Sequence, residues 1–104
     1  MSVQVSIIII NYNTCRLLAD CLASVYAQTQ QVDFEVIVVD NASTDGSEAF
    51  IMARFPEVIW VNAEENLGFG RANNLGAQHA KGEWLLLLNS DTVLLNNAVS
   101  LFYS

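Results

Sequence analysis

One hundred and four residues make a single domain, since domains usually run to about 100–150 residues. Hydrophobic residues are 53% of the chain and mean hydropathy is +0.34, which supplies a core and excludes intrinsic disorder. Four Lys and Arg stand against eleven Asp and Glu, a net charge of −7. That balance offers no basic stripe for nucleic acid and repels an anionic membrane surface.

Residues 3–10 are nearly all β-branched, the pattern of a strand covered on both faces. Asn11, Tyr12 and Asn13 break it. Leu17, Leu18, Cys21, Leu22, Val25 and Tyr26 then recur at three- and four-residue intervals, predicting a helix over 14–28. A second buried strand is expected over 34–39, followed by the turn-rich run 40–46. A helix over 47–55 is stopped by Pro56, and 58–61 reads as a short third strand. After a loop over 62–68 a third helix carries Ala72, Leu75, Gly76 and His79 on one face. Lys81 is expected in its last turn and Gly82 at its C-cap. Residues 84–88 form the fourth predicted strand, 89–92 its terminating turn, and a fourth helix is expected from about Asn96.

Cys15 and Cys21 are six apart, which on a helix places them about 240° around the axis. That spacing suits neither a disulfide nor a shared metal, so two free buried thiols are expected. The longest apolar runs, 7–10 and 84–88, fall far short of the ~20 residues of a membrane span. With no basic N-terminal region either, the expectation is a cytoplasmic protein, its full length peripheral to the inner face of a membrane.

Strand and helix alternate through the chain, which predicts an α/β fold, a mainly parallel sheet between helical layers with right-handed crossovers. In such a sheet every loop that follows a strand opens at one carboxyl edge, where open α/β folds bind ligands. Residues 11–13, 40–46, 66–74 and 89–92 therefore converge on one rim. Asp40, Asp45 and Asp91 lie there, with Arg71 the one cation of the four segments. Crowded carboxylates raise one another's pKa or recruit a cation, and a hard ion takes one or two of them with phosphate oxygens. A metal-chelated diphosphate is thus the natural ligand, with Asp40 and Asp91 as functional candidates. Asp45 also fits the cap of the helix that begins at Ser47.

The run Gly68-Phe69-Gly70-Arg71-Ala72-Asn73 half matches a dinucleotide fingerprint. It fails because Asn73 replaces the third glycine and because it follows the third strand. A Gly-rich start to a helix still presents backbone N–H groups to an anion, with Arg71 either adding charge at the mouth or simply solvated. Tyr12 either stacks on a base or covers the sheet edge. His79, Trp60 and Trp84 are expected in packing roles.

These segments together resemble the inverting family-2 glycosyltransferases of GT-A fold, the rhamnosyltransferase-like branch above all. The resemblance rests on 6–13, 38–47, 66–76 and 82–92, and covers essentially the whole chain. It implies a Rossmann-like three-layer α/β/α domain, here the N-terminal nucleotide-binding part over 1–104, with strand order third, second, first, fourth. It implies that Asn11, Tyr12 and Asn13 line the base and ribose, with Asn41 alongside, and that Asp40 accepts from the base's ring N–H. Gly68, Arg71, Asn74 and Ser90 would border the nucleotide and diphosphate of a UDP- or dTDP-linked sugar. Asp91, with Asn89, stands where the family holds Mg²⁺ or Mn²⁺, and the acceptor would be a glycan or lipid-linked sugar of cell-envelope polysaccharide assembly. Asn89 replaces the first aspartate of the acidic motif, and Asn73 stands where many relatives carry arginine.

No Asp, Glu or His follows Asp91, so the catalytic base is expected beyond Ser104, and the chain reads as a truncated domain that binds donor without transferring sugar. The resemblance also leaves residues 84–89 as an open strand edge, from which homo-oligomers are expected. Two other readings compete: a degenerate nucleotide-sugar-binding module, and a flavodoxin- or receiver-like signalling domain. The latter calls for an acidic pair after the first strand, where Asn11, Tyr12 and Asn13 supply none.

Overall fold

The structure, a computed structural model, describes residues 3–91. Its elements run β1 (Val5–Asn11), α1 (Cys15–Gln28), β2 (Phe34–Asp40), α2 (Ser47–Arg54), β3 (Ile59–Asn62), α3 (Gly68–Gln78) and β4 (Trp84–Asn89). The expected helix from Asn96, and Thr92 of the last turn, lie outside the described residues.

All strand pairings are parallel, in the order β3-β2-β1-β4. Ile7, Ile8 and Ile9 of β1 are fully buried because the strand is central and covered on both faces. On one face Ile7, Ile9, Val36 and Val38 meet Leu18, Leu22 and Val25 of α1 and Ile51 of α2. On the other, Ile8, Ile37 and Val39 meet Ala72, with Leu75, Ala77 and Ala80 packed against them. Three layers result, each fully buried Ile or Leu contributing about 2 kcal/mol of transfer free energy.

α3 crosses the sheet at Gly76, where an added Cβ would lie 2.7 Å from Ile8 Cγ2 and 3.1 Å from Val39 Cγ2. The glycine is there to let helix and sheet approach. Gly82 has the same kind of role, and this corrects its reading as a C-cap. The helix ends at Gln78, with His79 as its cap, and Lys81 lies beyond the last turn. A Cβ on Gly82 would meet Ser6 N at 2.6 Å, and its own N–H donates to Ser6 Oγ at 2.8 Å. Glu35 accepts from Ser6 Oγ at 2.6 Å and from Lys81 N at 2.7 Å, tying that turn to the sheet's amino edge.

Three further expectations are corrected. Trp84 is 63% exposed, because it begins β4, which among the described residues is an outer strand of the sheet. His79 is exposed at the end of α3, its Nδ1 3.1 Å from Leu75 O, and fills no core position. Cys21 is buried as expected, but Cys15, at the first turn of α1, is only half-buried. Trp60 does pack, half-buried, against the α1 and α2 layer. No helix among the described residues is long and apolar enough to cross a membrane.

Candidate functional site

Register brings the strand ends together. Asn11 pairs with Asp40, Asp40 with Asn62, and Ile10 with Asn89, so the carboxyl ends of all four strands lie in one row. Polar side chains at that row have no further strand to bury them, and they bond to one another instead.

Asp40 is the centre of the first group and is only 6% exposed. Its Oδ1 accepts from Asn11 Nδ2 at 2.8 Å and from Ser43 Oγ at 2.6 Å, and its Oδ2 accepts from Ser43 N at 3.0 Å. A carboxylate has about four acceptor positions, so Oδ2 keeps room for one further donor. The turn that returns Ser43 to Asp40 passes through Ala42 at φ 65, left-handed backbone that a non-glycine residue adopts only when its surroundings enforce it. Asn13, also left-handed at φ 53, joins the group. Its N–H donates to Ser43 Oγ at 2.9 Å, and its Oδ1 accepts from Thr44 N at 2.8 Å.

Asn41 is buried and turns away toward α3. It accepts from Leu67 N at 3.1 Å through Oδ1 and donates to Gly68 O at 3.3 Å through Nδ2. Gly68 N in turn donates to Asn66 Oδ1 at 2.9 Å. The first N–H of the Gly-rich run, at Gly68, and that of Leu67 just before it are thus already bonded within the protein, which narrows the anion site expected there. Gly68 takes φ 76, the left-handed turn that opens the helix, while Arg71 and Asn74 stand exposed on α3.

Asp45 is not the N-cap expected of it, since Gly46 holds that position; it stands one residue earlier and accepts from the first N–H of two helices. Its Oδ1 accepts from Ser47 N at 3.1 Å and from the Ser47 hydroxyl, and its Oδ2 accepts from Cys15 N at 3.2 Å. Partial burial pushes its pKa up, but these hydrogen bonds outweigh that and hold it below its ordinary 3.8.

The second group surrounds an open cleft of about 310 Å³ lined by Ile10, Tyr12, Thr14, Leu17, Phe69, Asn89, Ser90 and Asp91. Tyr12 is half exposed, and Asn89 and Asp91 are exposed. Of the sequence-derived candidates, Tyr12, Asn89, Ser90 and Asp91 therefore share the cleft. Asn11 and Asp40 sit behind it as a bonded pair, and Asn13, Asn41, Gly68, Arg71 and Asn74 lie outside its lining. Sequence reasoning missed Thr14, Ser43, Leu17 and Phe69. Ser43, three residues after Asp40 in a turn-rich run, carried a readable Asx-turn signal. Phe69 and Leu17 carried none, since an apolar residue in a first helical turn reads as core.

Asp91 also acts at a distance on Cys21, whose thiol is pushed up to about 11 by burial first and by that charge second. The thiol stays protonated and lies 3.8 Å from Asn89 O.

Comparison with known proteins gives the arrangement a lineage. The family model "Glycosyl transferase family 2" matches residues 6–103. Glycosyltransferase GlyG of Streptococcus pneumoniae is 34% identical over 99% of this chain and 35% of its own length. A mannosyltransferase from Pyrobaculum calidifontis, solved with GDP-Man and Mn²⁺, superposes with a TM-score of 0.84 at 26% identity, over 96% of this chain and 31% of that one. Staphylococcus aureus TarS, solved with UDP, also gives 0.84 at 26% identity, over 93% of this chain and 30% of that one. The chain spans about a third of the length of these relatives. A parallel sheet in the order β3-β2-β1-β4, a polar carboxyl edge and a match over nearly every residue leave no place for a receiver-like domain: the chain belongs to glycosyl transferase family 2.

Proposed function

We propose that this chain forms the donor-binding part of a glycosyltransferase, taking a nucleoside-diphosphate sugar, UDP- or dTDP-linked, together with Mg²⁺ or Mn²⁺. The observation that carries the reading is the placement of the Asp40 group and the Asp91 loop on either side of Tyr12 at one sheet edge. Relatives solved with GDP-Man and Mn²⁺ and with UDP support it. The open Oδ2 position of Asp40 accepts a base N–H, Tyr12 offers its ring face, and Asn11 and Asn13 support that group from behind through Asp40 and Ser43. Gly68, Arg71 and Asn74 flank the diphosphate, with Ser90 at the cleft wall.

The donor set fits a hard cation in one particular way. Asp91 gives one carboxylate, and Asn89 and Ser90 give neutral oxygens on the same cleft wall. Among the described residues no three His, Cys, Asp or Glu side chains come together, so these residues form no closed cage. A Mg²⁺-like ion accepts this, since it keeps waters and takes phosphate oxygens for the rest of its shell. When bound, it offsets the charge that grows on a departing diphosphate.

Transfer of the sugar to a glycan or lipid-linked acceptor, in polysaccharide assembly at the cytoplasmic face of a membrane, belongs to the proposal for the whole protein. Its acceptor-activating base is assigned to none of the described residues. A second reading, donor binding without turnover, rests on Asn89 standing where a second carboxylate would tighten the metal. Calorimetry with UDP- and dTDP-sugars, with and without Mn²⁺, tests the donor site. Heat that requires Mn²⁺ and vanishes in Asp91→Ala is expected, and no heat with any nucleotide at millimolar concentration sinks the proposal.

A further inference from the structure

Thr14 is the N-cap residue of α1, yet its side chain makes no cap hydrogen bond. Threonine in that position ordinarily accepts from an N–H of its own helix. Here Asp45 takes the leading N–H, at Cys15, and the Thr14 hydroxyl is turned elsewhere. It lies 2.8 Å from Asn11 Oδ1 and 3.0 Å from Ser90 Oγ.

The direction of these bonds follows from donor counting. The Asp40 carboxylate only accepts, so Asn11 must face it with Nδ2, as it does at 2.8 Å. Asn11 Oδ1 then faces Thr14 and only accepts, which claims the single Thr14 proton. Toward Ser90, Thr14 is left with lone pairs, so Ser90 donates. The Ser90 oxygen has spent its proton inward and presents only lone pairs to the cleft, beside Asn89 and Asp91. One buried charge on β2 thereby sets the polarity of a hydroxyl on the far side of β1.

We propose that Thr14 is a positioning residue: the chain Ser90 to Thr14 to Asn11 to Asp40 holds the loop that carries Asp91 and fixes Ser90 as an acceptor. This rests on the donor-and-metal reading above. Ser90 Oγ, with lone pairs only toward the cleft, and the neighbouring Asp91 carboxylate favour a cation or a donor hydroxyl over a bare anion.

The test compares wild type, Thr14→Val and Thr14→Ser by ¹⁵N relaxation without ligand, then by Mn²⁺ binding in the presence of UDP. Thr14→Val is isosteric but cannot donate. The backbone order parameters of Ser90 and Asp91 are expected to fall from about 0.85 to below about 0.6, while Ile8 and Val38 stay rigid and Thr14→Ser behaves as wild type. Mn²⁺ affinity should weaken about tenfold in Thr14→Val, the usual cost of removing a group that orients a ligand, and recover in Thr14→Ser. Unchanged order parameters at Ser90 and Asp91 in folded Thr14→Val overturn the proposal. Should Thr14→Val fail to fold, Ser90→Ala decides: the Asn11 side-chain amide resonances must shift, and their staying put overturns it as well. If wild type binds neither Mn²⁺ nor UDP, the donor reading fails by itself, and the ligand-free comparison still judges Thr14.

Discussion

Asp45 shows how much one exposed side chain can organise. Its carboxylate joins the first N–H of α1 to that of α2, where both helix dipoles favour negative charge. Its folded pKa is lowered, so its stabilisation is present above the ordinary carboxylate value near 3.8 and is lost as pH falls through the folded value. Asp45→Ala is expected to cost about 1 kcal/mol at pH 7, the worth of a side-chain acceptor at a helix start. The gap from wild type should narrow in denaturant titrations as pH falls from 3.8 through the lowered folded value, as protonation weakens the native side chain as an acceptor. The two cysteines differ in the same local way. Cys21, buried and with its pKa near 11, is held as a thiol, whereas Cys15 is half-buried at a helix start. A thiol reagent at pH 8 should therefore label one site rapidly, at Cys15, and reach Cys21 only on unfolding.

Among the elements, α3 depends most on a single residue. Gly76→Ala places a methyl 2.7 Å from Ile8 Cγ2 and 3.1 Å from Val39 Cγ2, two fully buried β-branched side chains. The helix must lift or the sheet must bend, at a cost of about 1–3 kcal/mol. Thermal melts should show Tm lower by at least ~5 °C, with the α3 layer loosened first in hydrogen exchange. The ends of this helix were the least legible part of the sequence. Lys81 and Gly82 carried a C-terminal signal, but the glycine serves the backbone of Ser6 across the sheet, a contact 76 residues away in the chain. The strands were far more legible, because β-branched runs of buried parallel strands read the same whatever lies above them.

At the scale of the whole sheet, β4 is an outer strand among the described residues, with consequences. Leu86 and Leu88 pack inward against the α1 layer, but Trp84, Leu85 and Leu87 are 63%, 49% and 49% exposed. An apolar strand at the rim of a sheet invites pairing. We propose that a second copy pairs along it, so the weight-average mass by light scattering should rise with concentration. Leu87→Lys, on the exposed face, should hold the protein monomeric. A wild-type mass that stays monomeric at every concentration overturns this.

The division between sequence and tertiary structure follows from the range of the forces involved. Hydrophobic period, turn residues and alternation of element type act locally, so the α/β layering, the parallel sheet and the gathering of polar loops at one edge were already written in the chain. Whether a polar side chain faces a ligand or a neighbour depends on contacts between residues about 30 to 76 apart, such as Asn11 with Asp40 and Thr14 with Ser90. No local pattern encodes those. Only the packed structure decided that Asn41 secures α3, that Asp45 serves two helices, that Trp84 stands in solvent, and that Thr14 leaves its own helix to hold the loop of Asp91.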